Sequence, residues 1–130
     1  MERPVLVDSS IFIGLLRAGR DPAVALGNQY ATVDLATCGM VRLEVMRGIQ
    51  IPKVYTRLSG LFDVMMNVQT DNRLWEDAVK VARDTQVRGF TIPGTDALIA
   101  AAAFKIGAAV FTHDKHFDYV DGLAVIRSAI

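Results

Sequence analysis

The stretch TDALIAAAAFKIGAAVFTHD, residues 95–114, is almost wholly apolar, yet an aspartate stands near each end. Lys105 is the only firmly charged residue between Asp96 and Asp114. Small side chains at helical length predict a helix that can press close to a neighbouring layer, capped by Thr95 and ended by Gly107. Residues 108–112 then predict a short strand that is apolar on both faces. A helix running straight into such a strand belongs to a parallel sheet covered by helices.

The flanking sequence repeats this alternation. Short apolar strands are predicted over residues 4–7, 31–37, 64–68 and 123–126, with 113–120 a polar loop. Helices are predicted over 11–17, with a serine as N-cap, and from Asp21-Pro22 to about Tyr30. Further helices are predicted over 39–48, over 52–62, and from an Asp71 cap to about Val87. In the last of these Trp75, Ala78, Val79 and Ala82 recur at helical spacing. Residues 88–94 form a loop broken by Pro93-Gly94. The pattern predicts an α/β fold, three-layer α/β/α, with a central parallel sheet of four to five short strands in a single domain over residues 1–130. In such sheets ligands bind beyond the carboxyl ends of the strands, where strand order reverses.

Composition limits the functions available. Of 130 residues, 52% are hydrophobic, enough for a well-packed core. Lys+Arg and Asp+Glu are both 14, so no global field draws the molecule to nucleic acid or to an anionic membrane. A polyanion would have to be bound through a local patch or a cation. Cys38 is the single cysteine, which excludes an internal disulfide and fits a reducing, cytoplasmic setting. The first residues lack the apolar core of a signal peptide. The longest apolar run, ALIAAAAF at 97–104, is far shorter than the roughly 20 residues needed to cross a bilayer.

Acids placed next to strand ends are the candidates for chemistry. Asp8 follows the first strand, Asp114 lies just beyond the strand at 108–112, and Asp96 sits on the first turn of the helix preceding it. Glu44 has Met40, Val41, Arg47 and Gly48 as its helical neighbours, a mostly apolar or small face that puts it at a core edge. Each acid also has a purely structural explanation: helix-dipole partner for Asp96, turn residue for Asp114, Asx cap for Asp8, ion pair with Arg47 for Glu44. Together they are harder to explain, because two unit charges about 4 Å apart repel by about 4 kcal/mol at an effective dielectric of about 20. Only oxygen ligands are on offer, with no histidine at ligand spacing, so Mg²⁺ or Mn²⁺ suits the set better than zinc. Such a site is equipped for phosphodiester hydrolysis.

VLVDSSIFI (5–13), LEVMRG (43–48) and TDALIAAAAFKIGAAVFTHDKHF (95–117), in this order and spacing, resemble the PIN domain family, specifically the small VapC-like toxins of toxin–antitoxin pairs. The resemblance covers nearly the whole chain. It implies an acidic site of Asp8, Glu44, Asp96 and Asp114, with metal held by Asp8, Asp96 and Asp114 and with Glu44 and Asp118 as further candidate ligands. It also implies a supporting hydroxyl at Ser9 and a loop-positioning role for Thr112. The activity implied is RNA cleavage with Mg²⁺ or Mn²⁺. The implied partners are an RNA substrate, an antitoxin that covers the acidic site, and a second copy of the chain in a homodimer. Residues 11–16 and 54–61 offer apolar surface for these contacts.

Other residues carry weaker signals. Arg42, Arg47 and Lys115 lie near the acids in sequence and are candidates for phosphate binding, with plain salt bridges as the alternative. His113 and His116 flank Asp114, where loop histidines are more often structural or solvated than catalytic. Two other function classes fit the fold: a PIN-like binding module with little activity, and an Asp8-based phosphohydrolase or receiver domain. The second lacks the D-x-D motif after the first strand.

Overall fold

Three consecutive buried residues, Val5–Val7, form the central strand β1 of the sheet in the computed structural model, which describes residues 3–127. The chain continues through helices α1 (Ser9–Arg17) and α2 (Pro22–Gly27), strand β2 (Leu35–Cys38), and helices α3 (Gly39–Met46) and α4 (Pro52–Val64) to strand β3 (Met66–Val68). Helices α5 (Asn72–Val87) and α6 (Gly94–Ile106) lead to strand β4 (Ala109–Phe111), a 3₁₀ turn (Lys115–Tyr119) and strand β5 (Val125–Ile126). All four strand pairings are parallel, and the order is β3-β2-β1-β4-β5.

Strand order runs outward from β1 to β3 and then crosses back to β4. The reversal therefore falls between β1 and β4, and their carboxyl ends flank the crevice that such a sheet leaves open. Val7 pairs with Phe111, which sets Asp8 beside Thr112 at that crevice.

Helices α1 to α4 contact one another in one layer, and α5 packs on α6 in the other. Within the first layer, Phe12 of α1 meets Phe62 of α4 with ring centroids 5.0 Å apart. Fully burying an aromatic or branched side chain contributes about 1.5–3 kcal/mol, so such pairs anchor the layer. In the second, every residue of α6 from Asp96 to Ala103 is buried. A helix buried on all sides needs small side chains where it meets both the sheet and α5, and Ala100, Ala101, Ala102 and Ala103 provide them. Gly107 ends the helix at φ +66°, a left-handed conformation that costs a residue with a Cβ about 1 kcal/mol.

The architecture agrees with the expected three-layer fold of parallel strands, and several boundaries differ for local reasons. Asp8, not a serine, is the N-cap of α1, and its side chain makes no capping bond because other partners hold it. Pro93 is the N-cap of α6, which moves Thr95 into the first turn. Residues 32–34 form a 3₁₀ turn with Val33 78% exposed, so β2 begins only at Leu35. Helix α2 stops at Gly27 instead of near Tyr30. On helix α5 the expected Ala78 is buried and Ala82 packs against the core, but Trp75 and Val79 are exposed, and Leu74 and Thr85 complete the buried stripe instead. None of the helices among the described residues is long and apolar enough to cross a membrane.

Candidate active site

Asp8 is buried, and its carboxylate is met by two hydroxyls. Oδ2 accepts from Ser10 Oγ at 2.7 Å and from Thr112 Oγ1 at 2.8 Å. Each hydroxyl in turn accepts from the following turn: His113 N–H donates to Ser10 Oγ at 3.0 Å, and Asp114 N–H donates to Thr112 Oγ1 at 2.9 Å. A hydroxyl has one proton, and both protons are committed to Asp8, so the 3.2 Å approach of Ser10 Oγ to Thr112 Oγ1 is a contact without a bond. The turn carrying Asp114 is thereby docked on Asp8 through two hydroxyl bridges. Asp8 N–H extends the β1–β4 ladder by donating to Phe111 C=O at 2.9 Å.

Arg127 fastens the same turn from outside. Its guanidinium donates to Thr112 C=O at 3.2 Å and to Asp114 C=O at 2.7 Å, and it pairs with Asp118 at 2.8 Å.

Asp96 projects from the first turn of α6 and is only 8% exposed. Its carboxyl pKa is pushed up to about 6, first by burial and then by the charges of Asp114 and Asp8, against the opposing hydrogen bond from His116. His116 reaches the cluster from the 3₁₀ turn. Its Nδ1 lies 2.9 Å from Asp96 Oδ2 and 3.0 Å from Asp114 Oδ1, and its backbone N–H donates to Asp114 Oδ1 at 2.9 Å. Glu44 stands on the other wall, half-buried, where Ser9 Oγ donates to Oε1 at 3.2 Å. Burial raises its pKa, Asp8 adds to the rise, and the Ser9 bond and Arg47 oppose it.

Asp8, Ser9, Ser10, Glu44, Asp96 and Asp114 line one cleft of about 550 Å³. The four acids, far apart in the chain, share it. Asp96, Asp114 and His116 each offer a ligand atom, and these atoms lie within 4.8 Å of one another. Octahedral Mg²⁺, bound at about 2.0–2.1 Å, requires neighbouring ligand atoms about 3 Å apart. The spacings of His116 Nδ1 to the two carboxylate oxygens, 2.9 and 3.0 Å, match that edge. The donor set of two carboxylates and an imidazole suits a divalent cation.

Some expected participants are elsewhere. Asp118 is turned toward Arg127, and it lies outside the group of three ligand atoms, as do Asp8 and Glu44. Arg42 is tied to Asp63 and Ser59, both at 2.9 Å, and lies over the Phe62 ring, because its side of α3 faces α4. Arg47 shares a shallow depression with Leu43, Met46 and Tyr55, outside the acidic cleft. Lys115 is exposed. Sequence reasoning did not single out Arg127 or Arg17, the latter a cleft residue, and it weighed His116 only as a loop histidine, not as a group that meets Asp96. Arg17 was findable, since Ser10, Ile13, Gly14 and Arg17 fall at helical spacing on one face of α1.

A parallel sheet with acids gathered at its strand-order reversal defines a class of α/β proteins with a candidate metal centre. The PIN domain model matches residues 5–123, and the chain belongs to that family. It is 28% identical over 129 residues to ribonuclease VapC4 of Mycobacterium tuberculosis, covering 95% of this chain and 96% of that protein. Among solved structures it resembles VapBC2 of Rickettsia felis, bound to a promoter DNA fragment, at TM-score 0.75 and 16% identity, covering 96% of this chain and 98% of the other. It also resembles M. tuberculosis VapC20, a sarcin-ricin loop cleaving toxin, at TM-score 0.69 and 21% identity, covering 95% and 99%.

Proposed function

We propose that the chain is an endoribonuclease that hydrolyses RNA phosphodiester bonds with Mg²⁺ or Mn²⁺, and that it is the toxin of a cytoplasmic toxin–antitoxin pair. The observation that carries this proposal is the meeting of Asp8, Glu44, Asp96 and Asp114 in one cleft at the sheet's switch point. The ribonuclease names of its relatives and the VapBC complexes among its structural neighbours support it.

Asp96 and Asp114, with Asp8 behind them, would hold the cation. A divalent cation there supplies Lewis acidity toward a phosphate oxygen and lowers the pKa of a coordinated water. Glu44, whose burial raises its affinity for a proton, would act as the proton acceptor of the cleft. Ser10 and Thr112 keep Asp8 and the Asp114 turn in register, so the acids are positioned before substrate arrives. Arg17, on the cleft wall, supplies a cation for the RNA backbone in a chain of zero net charge.

Antitoxin contact fits the apolar groove of about 400 Å³ that Leu16, Pro22, Ile51, Val54 and Leu58 help to line. Of the two stretches expected to offer surface, the first contributes mainly Leu16, because Ile11, Phe12 and Leu15 are core residues.

The purified protein is expected to cleave RNA with Mg²⁺ or Mn²⁺, and to lose this activity with Asp8→Asn or Asp96→Asn while remaining folded by circular dichroism. Cleavage that persists in excess EDTA, or that survives both substitutions, overturns the assignment.

A further inference from the structure

His116 brings nitrogen into a site whose sequence offered only carboxylate oxygens. It lies 20 residues from Asp96. Nothing in the linear spacing joins them, and the 3₁₀ turn Lys115–Tyr119 does so in space. Two bonds fix where the ring sits. Asp114 caps the turn by accepting from His116 N–H at 2.9 Å, and the same Oδ1 lies 3.0 Å from His116 Nδ1. Backbone and ring of one residue therefore converge on one carboxylate oxygen. A second carboxylate, Asp96 Oδ2, closes the triangle at 2.9 Å. One imidazole nitrogen between two carboxylate oxygens is a mixed nitrogen–oxygen donor face.

Resting on the metal-dependent reading above, we propose that His116 Nδ1 is a direct ligand of the cation, and that this nitrogen biases the site toward Mn²⁺ over Mg²⁺. Mg²⁺ strongly favours oxygen donors, whereas imidazole binds later divalent metals progressively better. A site of carboxylates alone would discriminate weakly between Mg²⁺ and Mn²⁺. Replacing one carboxylate oxygen by an imidazole nitrogen weakens Mg²⁺ binding more than that of Mn²⁺, so the ratio shifts toward Mn²⁺. The competing role for His116 is that of a counter-ion, an imidazolium that holds the carboxylates together until metal displaces it. The two roles differ in sign. Removal of a ligand weakens Mn²⁺ binding selectively, whereas removal of a counter-ion leaves both metals bound as tightly or more tightly, with their ratio unchanged.

Two measurements at pH 8, where an ordinary imidazole is neutral, decide between them. Calorimetric titration of the wild type and of His116→Ala should show Mn²⁺ binding weakened about tenfold or more by the substitution, with Mg²⁺ binding changed by less than about threefold. His116→Asp should bind both metals with most of the preference lost. Electron spin-echo spectroscopy of the Mn²⁺-loaded His113→Gln protein, in which His116 is the sole histidine, should show coupling to a ¹⁴N nucleus that changes on ¹⁵N-histidine labelling. This readout needs no substitution at His116, so a misfolded His116 variant cannot imitate its result. Bound Mn²⁺ without histidine nitrogen coupling, or an unchanged metal ratio in His116→Ala, overturns the ligand role and leaves the nuclease assignment standing. A wild-type protein that binds neither metal overturns both.

Discussion

Asp96→Asn should stabilise the metal-free protein at alkaline pH while removing its activity. The carboxyl of Asp96 is pushed up to about 6, from 3.8 in a free side chain. For an acid, a raised folded-state value means that the folded protein holds its proton more tightly than the unfolded chain. The group's contribution is therefore fully favourable below about pH 4 and is lost as pH rises through about 6. At about 1.4 kcal/mol per pH unit, the cost of ionising Asp96 in the fold reaches about 3 kcal/mol at pH 8 but only about 1 kcal/mol at pH 4.5. Asparagine resembles the protonated acid and does not pay it. Urea unfolding of both proteins in EDTA should show the advantage of the variant growing by about 2 kcal/mol between pH 4.5 and pH 8. Saturating Mn²⁺ should reverse the order at pH 8, because ligand bound only to the folded state stabilises the wild type alone. An advantage that stays flat with pH, or shrinks as pH rises, would refute the claim that uncompensated negative charge in the cleft strains the fold.

Thr112→Val keeps the shape of a fully buried side chain but removes both the hydrogen-bond donor to Asp8 and the acceptor for Asp114 N–H. Urea unfolding should show a loss of about 2–4 kcal/mol, with Thr112→Ser losing about half of that or less, and equal losses in the two would show that the hydroxyl is not what matters. Arg127→Ala frees the carbonyls of Thr112 and Asp114 that the guanidinium holds. Metal affinity should fall about tenfold with little change in secondary structure, and Arg127→Lys should recover part of it.

The acids were legible in sequence because each follows or precedes a strand, and parallel sheets direct strand ends to one rim. Asp8 and Asp114 needed only the prediction that residues 4–7 and 108–112 are strands of one parallel sheet, whose carboxyl ends share a rim. His116 was not legible. Its approach depends on a 3₁₀ turn whose hydrogen bonds start from Asp114 itself, and no helix or strand period reports that geometry. Arg42 failed for a different reason. It is close to Glu44 in sequence, but two positions apart on a helix is more than half a turn, and its face of α3 belongs to Asp63 and Ser59. On α5, Ala78 and Ala82 were read correctly as core-facing, but Trp75 and Val79 were joined to them in place of Leu74, because both sets satisfy a helical pattern. Periodicity fixes the spacing of a stripe, and only the neighbouring layer fixes its rotation.

The pairing of β1 with β4 makes fold and site depend on each other. A strand with one wet face is held in register by its alternation, since a slip of one residue exposes its apolar side. Here Val5–Val7 and Ala109–Phe111 are buried throughout, so alternation gives no such protection. A slipped pairing would still bury apolar residues on both faces. It would, however, separate Asp8 from Thr112, leaving a buried carboxylate without one of its two hydroxyl partners. Breaking a hydrogen bond to a buried charge costs about 1.5–3 kcal/mol. That penalty is comparable to the apolar gain from a whole buried side chain, and it applies only in the wrong register. The hydroxyl bridges around Asp8 therefore discriminate between pairings that the hydrophobic effect alone would treat as nearly equal. The polar groups that assemble the cleft also help select the fold that contains it.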